Sequence, residues 1–166
     1  MQQGRYRAVG PHPLAVFLAA GAWRLAGDRI VSELLPALNP EMALSLFRRV
    51  ADLGRFEPAR SVLPQLLSAD GPFASLERLE TGGYGPLLTQ LAIVLPDEVA
   101  LHLGEMIEAA PVATLSAQTR SRRDLVWTLE KLVWHRRTFG SAADSVRRLA
   151  LAENETYGNN ATGTWV

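Results

Sequence analysis

Three observations predict an all-α fold. From Pro13 to Glu153 the apolar residues return every three to four positions, each run is closed by Pro or Gly, and no stretch alternates strictly enough for a sheet. Between these runs the connections are short, which sets sequential helices side by side. About seven to nine helices in antiparallel pairs are expected.

Residues 1–12 form an extended N-terminal segment. Arg5 to Val9 has the pattern of one short strand, stopped by Gly10, Pro11, His12 and Pro13. The helical domain then spans 13–153. Its first helix runs from Pro13 to Ala26, and Asp28 caps a second over Arg29–Leu38, with Pro36 bending or ending it. Asn39-Pro40-Glu41 starts a third: a side-chain cap, proline at the first helical position and an acid in the first turn. Ala43, Leu46, Phe47, Val50 and Leu53 lie on one face of it. A fourth, Glu57–Ser68, presents Ala59, Val62, Leu63, Leu66 and Leu67 and is kinked at Pro64.

After the break at Asp70-Gly71-Pro72, a short helix is expected over Phe73–Leu79, followed by a glycine-rich joint at Thr81–Pro86. Leu87–Leu95 is apolar on most sides and is expected to be the most buried helix. Pro96-Asp97-Glu98 opens the next, burying Val99, Leu103, Met106, Ile107 and Ala110. Residues 111–118 read as a connector. The longest helix is expected at Thr119–Arg136, with Leu125, Leu129, Leu132, Trp127, Val133 and Trp134 in a broad apolar arc. Beyond Gly140-Ser141, the last helix carries Ala142, Val146, Leu149 and Ala150, and a polar tail follows at 154–166. The helix-break-helix unit recurs at roughly 35–45 residues, the period of HEAT and armadillo repeats. The expected architecture is therefore an irregular HEAT/armadillo-like α-solenoid or a bundle.

Composition narrows the function classes. The 166 residues carry 17 basic and 17 acidic side chains, a formal net charge of zero. That balance argues against a dedicated nucleic-acid or anionic-membrane binder, though it leaves room for a local basic patch. Without cysteine there are no disulfides and no thiolate metal ligands. The apolar run Leu14–Ala22 lacks the flanks of a signal peptide and is too short to span a bilayer, so the chain reads as cytoplasmic.

No cluster of catalytic residue types is evident, and no Ser sits in a nucleophile-elbow setting. Neither an enzyme nor a bound cofactor is expected. Glu98, His102 and Glu105 share one helix face and could together hold a divalent metal if a facing helix supplied further ligands. A solvated stripe beside the core is the favoured reading, so no metal site is assigned.

Two features point to a partner. Arg120, Arg122 and Arg123 cluster at a helix start, where their charge opposes the helix dipole and suits an acidic partner or an anion. Trp127 and Trp134 are seven residues apart, at a spacing used for core packing or for a binding hot spot. These five residues are the candidate partner-binding set. The partner is a protein or the remainder of a larger polypeptide; the alternative is arginine-mediated nucleic-acid binding.

Two terminal stretches resemble a known family. Gly4-Arg5-Tyr6-Arg7-Ala8-Val9-Gly10-Pro11-His12-Pro13-Leu14-Ala15-Val16-Phe17-Leu18-Ala19 is similar to the end of a winged-helix segment entering a helical domain. Residues 149–165, from Leu149 to Trp165, are similar to a stretch in the helical region of the same proteins, large bacterial STAND-like signalling NTPases. The resemblance implies a helical arm that senses or transmits for an NTPase module. No Gly-x-x-x-x-Gly-Lys-Ser/Thr occurs in the chain, so the expectation is that these residues do not bind ATP. The same resemblance, with Trp165-Val166 left uncovered, suggests a fragment that self-associates through its C-terminal face.

Overall fold

The computed structural model describes residues 12–53 and 60–153. The expected strand at 5–9 and the polar tail at 154–166 lie outside these residues. Among the described residues every regular element is helical: α1 (His12–Arg29), a π-helical turn (Ile30–Leu34), α2 (Leu35–Ala37), α3 (Pro40–Leu53), a 3₁₀ turn (Leu63–Leu67), α4 (Leu76–Gly82), α5 (Gly85–Val94), α6 (Pro96–Ala109), α7 (Val112–Ser116), α8 (Arg122–Val133) and α9 (Phe139–Leu151). None of these helices is long and apolar enough to cross a membrane.

The local signals act largely as their chemistry dictates. Asn39 caps α3, its Oδ1 accepting from the Met42 N–H at 2.9 Å. Helix α1 kinks at Ala26 (φ −141°, ψ 23°), where the first helix was expected to end. The second helix forms differently: Asp28 accepts from Gln65 Nε2 at 2.7 Å instead of capping, and the chain winds into the wider π turn. Pro64 lacks an N–H to donate, and the segment around it tightens to 3₁₀ geometry.

Three boundaries differ from those expected. Helix α4 starts at Leu76 and not Phe73, because Ser75 caps it through Arg78 N–H (3.2 Å) while Phe73 is drawn fully into the core. The 111–118 connector contains α7. Far from a loose joint, Thr81–Pro86 is a tight corner: α4 runs through Gly82, Gly83 adopts the left-handed conformation (φ 67°), and α5 begins at Gly85.

Packing proceeds in two rows. In one, α1 meets α3, α3 meets α5, and α5 meets α8. In the other, the π turn meets the 3₁₀ turn, the 3₁₀ turn meets α6, and α6 meets α9. Cross-links join α5 to α6 and α8 to α9. Helix α5 sits between α3 and α8, which explains why Leu87, Leu88, Leu91, Ala92 and Val94 are all buried. Its one large exposed apolar side chain is Ile93.

Candidate functional site: the outer face of helix α8

Helix α8 begins at Arg122, three residues later than periodicity suggests, because the preceding N–H groups belong to a side chain from another helix. The Glu80 carboxylate, on α4, accepts from the N–H groups of Thr119 (3.2 Å), Arg120 (3.0 Å) and Ser121 (3.0 Å) and from the hydroxyls of Thr119 (2.7 Å) and Ser121 (2.9 Å). Burial pushes the Glu80 pKa up. The N–H bonds of Ser121 and Arg120 and the two hydroxyls outweigh it and hold the carboxyl at about 2. Glu80 thus supplies the negative charge that the dipole of α8 favours at its start.

This arrangement revises the reading of the arginine cluster. The anion expected from a partner at this helix start is already present within the chain. The three arginines also do not form one patch. Arg120 is exposed, and it is its backbone N–H, not its guanidinium, that serves Glu80. Arg122 is 1% exposed and turned inward, so it is withdrawn from the partner-binding set. Its Nη1 donates to Leu115 O (3.0 Å), its Nη2 donates to Leu149 O (2.8 Å), and Nη2 lies 3.3 Å from Glu153 Oε1. It ties the C-terminal ends of α7 and α9 to the start of α8.

Arg123, Trp127 and Trp134 do come together on the outer side of α8. The Arg123 guanidinium lies 4.9 Å from the centre of the Trp127 ring, a cation–π contact. Trp127 is 50% and Trp134 84% exposed, so neither joins the apolar arc that Leu125, Leu129 and Leu132 form. Thr89 of α5 joins Trp127, Glu130, Lys131 and Trp134 in lining a surface hollow of about 380 Å³. Exposed Ile93 lies one turn beyond Thr89 on α5.

The inner side of α8 is a polar seam against α5. Thr128 Oγ1 donates to Asp124 O (2.7 Å), so its single proton is used and Thr89 Oγ1 donates to it at 2.8 Å. Asp124 lies so close to Gly85 that a Cβ there would meet its Oδ2 at 2.3 Å. Burial raises the Asp124 pKa, with nearby Arg123 opposing the shift. The folded state therefore holds this proton more tightly than the unfolded chain, and Asp124's contribution to stability falls as pH rises from about 4. Asp124→Asn should melt higher than wild type at pH 7, with the gap closing below about pH 4. Thermal melts across that range check it.

The remaining sequence candidates separate as well. His102 Nε2 donates to Phe73 O at 2.8 Å, while Glu98 and Glu105 are exposed. Among the described residues no group of three His, Asp or Glu is placed to hold a metal ion. No protein-family model, curated protein or solved structure matches this chain.

Proposed function

We propose that the chain is a non-enzymatic helical scaffold that recognises another protein, or another part of a larger polypeptide, through the Arg123–Trp127–Trp134 face of α8. The carrying observation is the pair of large aromatic side chains held in solvent on a helix whose other side is fully packed. Tryptophan and arginine are the residue types that most often anchor protein interfaces. A HEAT/armadillo-like solenoid is the architecture we infer. It is supported by the two-row packing and by the order short–long–long in α4–α5–α6 and again in α7–α8–α9. The reading as the sensor arm of a signalling NTPase rests on the terminal resemblance alone.

A photo-crosslinking residue at Lys131, between the two tryptophans, tests the face in lysate of the source cells. A discrete protein adduct, lost in Trp127→Ala/Trp134→Ala, is expected. An adduct pattern unchanged by that double variant would contradict the proposal. An adduct removed by nuclease and weakened steeply by salt would favour nucleic-acid binding instead.

A further inference from the structure

A second site lies away from α8, where the π turn, the residues around Asp70 and helix α4 enclose a cavity of about 510 Å³. That volume is in the range of small-molecule sites. Val31, Leu35 and Pro36 form one apolar wall, and Pro72 and the Tyr84 ring contribute another. Among the described lining residues Arg78 is the single cation.

The walls are set by close packing. A Cβ on Gly71 would fall 2.2 Å from Leu66 O, so only glycine lets this turn approach the 3₁₀ turn. Gly82 does the same for Tyr84, whose ring would meet a Cβ at 2.5 Å. Tyr84 stands edge-on to Phe73 (6.4 Å between centres), and Phe73 edge-on to Phe47 (6.4 Å). The cavity is therefore held open by packed groups, as a preformed site requires.

Arg78 is held in an orientation that leaves a recognition edge. Its Nη1 donates to Ala69 O (3.1 Å) and Gly71 O (2.9 Å). Both Nη1 protons are thereby used, and Nε and Nη2 have no partner among the described residues. The Nε–Nη2 edge of a guanidinium carries two parallel N–H groups that match a carboxylate. Asp70, on the turn that Arg78 clasps, also lines the cavity. Its negative charge disfavours a dianion such as phosphate more than a monoanion.

We propose that this cavity binds a small monocarboxylate with an apolar body, its carboxylate on the free edge of Arg78 and its body against Val31, Leu35, Pro36 and Tyr84. The site is independent of the α8 face. Calorimetric titration of the full chain with phenylacetate is the test, with phenethylamine and inorganic phosphate as comparison probes. Saturable binding of phenylacetate alone is expected, weakened about tenfold or more by Arg78→Lys, whose point charge cannot reproduce the fork. Val31→Trp, which fills the cavity without touching Arg78, should abolish binding even if Arg78→Lys loosens the turn. No saturable binding, equal binding of the amine or phosphate, or binding that Val31→Trp leaves unchanged would overturn the proposal.

Discussion

Arg122→Ala is expected to lower stability by about 3–5 kcal/mol, the cost of breaking a buried charged network from one side. Arg122 is 1% exposed, and its guanidinium serves Leu115 O, Leu149 O and Glu153 together. Truncation takes this donor from two buried carbonyls and this cation from beside the Glu153 carboxylate. In a chain of this size the melting temperature should drop by roughly 6–20 °C. Arg122→Lys should recover only part, because one ammonium cannot span carbonyls on two helices. Arg122→Met with Glu153→Gln should recover more than Arg122→Ala, since the volume is refilled and the Glu153 charge is removed together with that of Arg122. Denaturant unfolding of the four proteins gives the ranking.

Glu80→Gln is expected to cost on the order of 1–2 kcal/mol at neutral pH. A carboxyl shifted from 4.5 to about 2 corresponds to at most about 3.4 kcal/mol, and its partial exposure reduces that through solvent screening. The amide also turns an NH₂ group toward the donors of Thr119, Arg120 and Ser121. Because the folded pKa is depressed, the wild-type advantage is complete above about pH 4.5. It disappears as pH falls toward 2. A difference between wild type and Glu80→Gln that stays constant from pH 6 to pH 2 would show that charge is not the cause. Asp124 has the opposite sign, so the pair gives acid and neutral stability two separable handles.

How much of this was legible depends on whether the signal is local. The Asn39 cap, the proline-led start of α6 and the burial of α5 follow from adjacent residues and were read from them. Glu80 was not, because its partners lie 39–41 positions away and nothing near it marks it as a cap. Its consequence was visible in another form: three arginines at a helix start conflict with the dipole, and the conflict implied an anion. The anion exists, but inside the fold.

The reading of α8 missed information that the sequence did contain. At about 100° per residue, Trp127 lies about 200° and Trp134 about 180° around the helix from Leu125. They therefore belong opposite the leucines, where the structure has them. Arg122 is seven residues before Leu129, nearly in line with it, so the same wheel turns Arg122 inward. What the wheel cannot give is the reason such a charge is tolerated. That reason is the set of helix C-termini gathered around it, a property of tertiary packing. Arg148 repeats the device, its Nε and Nη2 donating to Ile107 O (2.8 Å) and Ala110 O (3.1 Å) at the end of α6. Arg78 uses it at the turn before α4. A chain with 16 arginines and the single lysine Lys131 has the side chain best suited to bridging two carbonyls.

Denaturant unfolding of the Trp127→Ala/Trp134→Ala double variant tests most directly whether α8 turns its aromatic side to a partner or to the core. Side chains that stand in solvent leave no cavity when truncated, and each change should fall within about 0.5 kcal/mol of neutral. The predicted result is a double variant about as stable as wild type, with the same dependence on denaturant. A loss of about 3 kcal/mol or more per tryptophan, the usual cost of removing one from a core, would contradict the account.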